Sequence, residues 1–155
     1  MKNEDYAIRK IRSGIVIDHI QQGKALLIAR LLGLEELAEE HRVRISIGLN
    51  CDSPTLGKKD IIKVEDWGLT ERQLNYVALI SPYATINTIK DFKVIEKRSV
   101  TLPKMVEDVV ICPDRFCITN HEDVVPKFYV VKTEPVTLKC HYCEIEFHGK
   151  LIKFK

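Results

Sequence analysis

The spacing of apolar and polar positions divides the chain into strands and helical stretches before any chemistry is considered. Gly14 to Ile20, GIVIDHI, reads as a strand, with Ile15, Ile17 and His19 on one face and Val16, Asp18 and Ile20 on the other. Gly23 to Leu34, GKALLIARLLGL, is dominated by Leu and Ala with few β-branched residues, which predicts a buried helix. Val43 to Asn50 and Lys58 to Asp66 are two more strands, the latter with Lys59, Ile61, Lys63 and Glu65 sharing a face. A second helix starts at Thr70, where a Thr-x-x-Gln capping box and a Leu69 to Leu74 staple coincide; Leu74, Val77 and Ala78 form its stripe, and it ends before Pro82. Ala84 to Ile89 and Phe92 to Lys97 complete the series.

The resulting order, β-α-β-β-α-β-β, predicts an α+β fold: a ferredoxin-like β-α-β-β-α-β domain carrying an added strand. The pattern changes character across KRSVTLPKMVE, residues 97 to 107, so the chain divides into a domain of residues 1–100 and one of 101–155. In the second, short strands around DVVIC, KFYVVK, VTLKC, EIEF and LIKF predict a small antiparallel β domain with His148 and Gly149 at the tip of its last hairpin. No internal repeat or low-complexity segment interrupts either part.

Composition narrows the function classes. The 155 residues carry 24 Lys plus Arg against 22 Asp plus Glu, a formal charge of +2, well short of the basic balance of a protein whose binding is dominated by phosphate neutralisation. Nucleic acid is not an expected partner. No apolar run approaches the roughly 18 residues of a membrane helix, and MKNEDYAIRK lacks a signal-peptide core, so the expectation is a cytoplasmic protein with no membrane partner. Two domains this small need a staple.

Four of the five cysteines supply one. Cys112, Cys117, Cys140 and Cys143 fall as C-x4-C-x22-C-x2-C, two knuckle pairs separated by a loop, the usual form of a tetrathiolate zinc site. Four thiolates close the tetrahedron, so the expected cofactor is one structural zinc ion per chain with no open position for catalysis; iron is the lesser alternative. Lys139 and Lys150 stand close in sequence to offset the net negative charge of such a centre. Metal binding and folding of this domain should be one event. Cys51, in LNCDSPTLG, has no evident partner and is assigned no role.

Catalytic signals are weak. Asp18 and His19 are the obvious acid and base, but strict alternation sends them to opposite faces. No Gly-x-Ser-x-Gly, metalloprotease helix or P-loop is present. Lys59 and Lys63 sit about 13 Å apart along one strand face with Ile61 between them, a spacing that suits an elongated anion with an apolar part.

Taken together, GIVIDHI, the helix after it, IGLN, GKKDIIKVED, ATINTIKDFKVIEK and the four-cysteine tail resemble the aspartate carbamoyltransferase regulatory-chain family over nearly the whole chain. The resemblance implies a non-catalytic subunit of pyrimidine biosynthesis: an N-terminal domain binding allosteric nucleotides and a C-terminal zinc domain docking on catalytic chains. Implied partners are those catalytic chains, a second regulatory chain, and the effectors CTP and ATP, with UTP a further candidate. Carried over by position, the resemblance puts Ile11, Val16 and Ile89 near the base and ribose, Asp18 on the ribose hydroxyls and Lys63 near base and sugar. Lys97 and His19 face phosphates, Lys59 and Asn87 lie at the edge, and Phe92 and Val94 offer backbone contacts to the base. Arg9 stands where the family often carries an acidic residue and Phe92 where a tyrosine is familiar, which argues against a metal-linked second nucleotide site.

A zinc-ribbon nucleic-acid binder is the alternative. It would use Lys139, Lys150, Lys153 and Lys155, with Phe128, Tyr129 or Tyr142 stacking on bases.

Overall fold

The computed structural model describes residues 9–155. The chain separates into two compact units, the first ending at Val100 and the second spanning Thr101–Lys155.

In the first unit, strands β1 (Gly14–Gln21), β2 (Ile45–Ser53), β3 (Gly57–Glu65), β4 (Thr85–Lys90) and β5 (Lys93–Ser99) form one sheet in the order β2-β3-β1-β4-β5. Every pairing is antiparallel. The first four strands have the split β-α-β arrangement, and β5 is the added strand beyond β4. Ile17, Ile20, Ile62 and Val64 are fully buried, as are Ala25, Ile28 and Val77 of the helical layer.

The helical layer departs from expectation. The predicted Gly23 to Leu34 helix is the shorter α1 (Ala25–Leu31), and a further helix that the sequence reading missed, α2 (Leu34–His41), follows it after Gly33 at φ 68°. A left-handed residue ends α1, and the amides of Leu32 and Gly33 return to Ile28 and Arg30 carbonyls. Helix α2, LEELAEEH, has only a narrow apolar stripe, so propensity rather than periodicity marks it. The third helix, α3 (Glu71–Ile80), follows the sequence closely: Gln73 N donates to Thr70 Oγ1 at 3.2 Å and Thr70 N to Gln73 Oε1 at 2.9 Å, a complete capping box. Phe92 is not in a strand but in the two-residue turn between β4 and β5, where Asp91 and Phe92 both have positive φ.

Strand β1 also breaks the expected alternation. Its register with β3 slips between Ile17 and Ile20, and His19 has φ 54°. This bulge places one extra residue in β1, so Ile15, Ile17 and Ile20 all enter the core, while Asp18 and His19 both turn to the opposite face. Asp60, opposite Ile20, is fully buried and satisfied: its carboxylate accepts from Ala25 N at the start of α1 and from Asn50 N in β2, each at 3.0 Å. Asp60 also shows which face of β3 meets α1, leaving Lys59, Ile61 and Lys63 on the other.

In the second unit, β6 (Met105–Glu107), β8 (Lys127–Thr133), β9 (Val136–Cys140) and β10 (Glu146–His148) form a sheet in the order β10-β9-β8-β6. Phe128 and Phe147 meet edge to face at 5.5 Å in its core, with Leu138, Val106 and Val109. The predicted last hairpin does not form. Gly149–Leu151 makes a 3-10 turn that redirects the chain, and β11 (Lys153–Phe154) pairs with β7 (Val110–Ile111) instead.

Candidate functional site

Two sites are built on these units. The first is the sheet face of the N-terminal unit that lies away from the helices. Cross-strand pairing there aligns Ser46, Lys63, Val16, Asn87 and Lys97 in one row across five strands. A second row aligns Asp18, Thr85 and Ser99, and a third Glu65, Gly14, Ile89 and Val94, the last brought in by a slip in β5. Adjacent rows stand two residues apart, about 7 Å. The face is therefore apolar around Ile89 and Val94 at one end, cationic in the middle, and furnished with a carboxylate and an imidazole at the other.

Individual groups are held firmly. Lys59 Nζ meets Asp18 Oδ1 at 2.8 Å with both side chains less than one-fifth exposed, and His19 N donates to the same oxygen at 2.7 Å. Burial pushes the Asp18 carboxyl up, but Lys59 and the His19 amide and ring outweigh it and hold Asp18 below the ordinary carboxylate value. His19 Nδ1 pairs with Thr85 Oγ1 at 3.0 Å, which fixes the ring and leaves Nε2 for another partner. Lys63 Nζ donates to Arg9 O at 3.2 Å; burial, with Lys10 and Lys59 adding repulsion, lowers its ammonium pKa against the opposing pull of Asp18. Asn87 Oδ1 is buried without a hydrogen-bond partner, the one such side-chain atom among the described residues. An orphaned acceptor in the central row is a place for a ligand donor.

Every N-terminal residue singled out from sequence maps to this face or its rim. Ile11, just before β1, is 4% exposed, and its neighbour Arg12 accepts from Phe92 N at 3.0 Å, which brings the segment 9–12 against the β4–β5 turn. Phe92 and Val94 are more than half exposed. Thr85 and Ser46 were not legible, since only cross-strand register places them there.

The second site is the cysteine cluster. The Sγ atoms of Cys112, Cys117, Cys140 and Cys143 all lie within 4.8 Å of one another, with Cys112 to Cys143 at 3.6 Å and Cys117 to Cys140 at 3.8 Å. These separations are too long for disulfides. They match a tetrahedron of thiolates with metal–sulfur bonds of about 2.3 Å, whose edges are about 3.8 Å. The set is therefore able to hold a metal ion. Burial raises the Cys112 and Cys143 thiols, reinforced at Cys112 by the neighbouring sulfurs; Cys117 is buried too, but the Thr119 hydroxyl and amide bring it below the ordinary value. A cation at the centre reverses this penalty on charged sulfur.

The nucleic-acid alternative fares poorly here. Phe128 is fully buried and unable to stack on a base, and the rings of Tyr129 and Tyr142 are already engaged by His141, at centroid distances of 5.7 and 5.0 Å. Lys155 is paired with Asp108. Among the described residues no helix is long and apolar enough to cross a membrane.

Comparison with known proteins covers both units. Residues 6–101 match the family described as the aspartate carbamoyltransferase regulatory chain, allosteric domain, and residues 104–153 match that chain's metal binding domain. Among similar proteins, the aspartate carbamoyltransferase regulatory chain of Pyrococcus furiosus is 44% identical over 137 residues, covering 88% of this chain and 89% of the relative. That of Porphyromonas gingivalis is 42% identical over 153 residues, 99% of each, and that of Saccharolobus islandicus 39% identical over 145 residues, 93% and 89%. With both units matched in order and the alignments running nearly end to end, the chain belongs to the aspartate carbamoyltransferase regulatory-chain family.

Proposed function

We propose that this chain is a non-catalytic, cytoplasmic subunit that binds the effector nucleotides CTP and ATP on the open face of its N-terminal sheet and passes their binding preference to aspartate carbamoyltransferase catalytic chains. The observation that carries the reading is the orphaned Asn87 Oδ1 in a row with Lys63, Val16 and Lys97. A nucleoside triphosphate supplies what that face lacks. Its amino or hydroxyl groups can donate to Asn87, its ribose hydroxyls to Asp18, and its phosphates can accept from Lys97 and from His19 Nε2. Ile11, Val16, Ile89 and Val94 supply apolar contact for the base, and Lys59 sits at the rim as the partner of Asp18. The Phe92 amide is already engaged by Arg12, so its carbonyl and ring are what it offers the base.

The C-terminal unit would hold one structural zinc ion through Cys112, Cys117, Cys140 and Cys143 and dock on the catalytic chain, while regulatory chains pair with each other. Zinc suits a closed tetrathiolate set; when bound it supplies cross-linking and charge neutralisation. Effector control requires only that nucleotide bind the two quaternary states of the assembly unequally, by the usual 1 to 3 kcal/mol or so. Calorimetric titration of CTP and then ATP into the zinc-loaded chain tests the pocket. Saturable, mutually competitive binding supports it; binding of both at once without competition, or of neither by the chain alone or in the complex, refutes it.

A further inference from the structure

The two cysteine knuckles are closed in different ways. Between Cys140 and Cys143 the chain turns on backbone bonds, Cys140 N to Ile145 O at 3.0 Å and Glu144 N to Cys140 O at 3.1 Å, with Glu144 left-handed. The wider loop between Cys112 and Cys117 is held from outside by the side chains that follow it. Asn120 Nδ2 donates to Cys112 O at 3.1 Å and to Asp114 O at 2.8 Å. His121 Nε2 donates to Arg115 O at 2.6 Å, Phe116 N to Asp114 Oδ1 at 2.9 Å, and Cys117 N to Asp114 O at 3.0 Å.

We propose that Asn120 is a positioning residue for the metal centre. Its amide spans the x4 loop, tying the backbone of the first ligand, Cys112, to the turn that follows the second, Cys117. A loop of four residues between ligands has more freedom to lose than a loop of two, and neither sulfur controls it alone. With the clamp in place the two sulfurs are held at coordinating separation whether or not both are engaged. A thiolate that lets go stays within reach and re-engages before the other three release. Asn120 touches no sulfur, so it acts through the backbone of Cys112 and Asp114, with His121 as the second point of attachment. This inference rests on the reading of the four cysteines as a metal site.

The test uses the full chain loaded with zinc, releasing the metal to an excess of a chromogenic chelator well below the unfolding temperature. Asn120→Ala, and Asn120→Asp, which keeps the size but cannot donate to the two carbonyls, are each expected to release metal about tenfold faster, the lower end of what outer-sphere partners contribute. Thr137→Val, which removes the Thr137 to Pro135 hydrogen bond elsewhere in the same unit, is expected to release at the wild-type rate. Cobalt-loaded variants should keep the tetrathiolate charge-transfer bands, since all four ligands remain. Release unchanged in both Asn120 variants, or equally fast in Thr137→Val, overturns the clamp. Should Asn120→Ala fail to fold, Asn120→Asp carries the comparison. If the wild-type chain takes up neither zinc nor cobalt with thiolate bands, it is the metal site itself that is wrong.

Discussion

Asp18→Asn separates recognition of sugar from recognition of phosphate. In the folded chain one carboxylate oxygen of Asp18 already takes the Lys59 ammonium and the His19 amide, which leaves the second for ribose hydroxyls. A hydrogen bond to a charged acceptor contributes about 1.5 to 3 kcal/mol, or roughly 10- to 150-fold in Kd. Asparagine keeps the shape and one neutral acceptor, so the loss for CTP and ATP should fall near the lower figure, about tenfold. The same change frees Lys59 from its ion pair and adds positive character to the face. Inorganic triphosphate, which has no ribose, should therefore bind the variant at least as well as wild type. Competition calorimetry with CTP, ATP and triphosphate reads all three, with the unfolding midpoint as a check on integrity. Equal losses for CTP and triphosphate, or an unchanged Kd for CTP, would refute the assignment of Asp18 to the sugar.

Lys63, placed near base and sugar, donates there most strongly and adds to the attraction for a polyanion only as the ammonium, and burial lowers its pKa, so CTP affinity should decline as pH rises through the range below the ordinary lysine value of about 10.4. Lys63→Arg, which stays charged, should remove that decline; an identical pH profile in the two proteins would count against it. Asp18 has the opposite sign: its folded pKa is depressed, so its contribution to stability is present above about 3.9 and is lost as pH falls through the folded value, a limb that Asp18→Asn should flatten in acid-unfolding curves. Cys140→Ser removes a fully buried ligand and should abolish zinc retention, cooperative unfolding of the C-terminal unit and assembly with catalytic chains; a zinc-bound, assembly-competent variant would contradict the staple. Asp60→Ala orphans two backbone amides beneath the sheet and should cost about 3 kcal/mol or more in urea unfolding, with a change below 1 kcal/mol or so arguing against the role of that carboxylate.

What could be read in advance was local. The capping box at Thr70 is satisfied within four residues, the alternation of β3 is regular, and ligand spacing in a knuckle is a property of one turn; all three are found as expected. The departures depend on partners far away in sequence. The bulge at Asp18 and His19 is defined by the register of β1 against β3, and strict alternation therefore misplaced Ile20 and His19. Gly33 ended a helix that composition alone continued, and β11 chose β7, some 40 residues back, over its neighbour. Thr85 and the unsatisfied oxygen of Asn87 likewise emerge only when β4 is laid beside β1.

The bulge in β1 makes the binding face a matter of counting. Between Ile17 and Ile20 the strand spends three steps where its neighbour β3 spends two, and that surplus lets Asp18 and His19 look the same way. Removing either residue would restore a regular two-step ribbon: Ile20 could keep its place opposite Asp60, but a single residue would be left to face the open side where two now do. A chain with all the right residue types but one fewer of them would present a different surface. Strand β1 should accept exchange of letters far more readily than any change in their number, and an engineer grafting this face onto another sheet must transplant the extra residue along with the aspartate and the histidine.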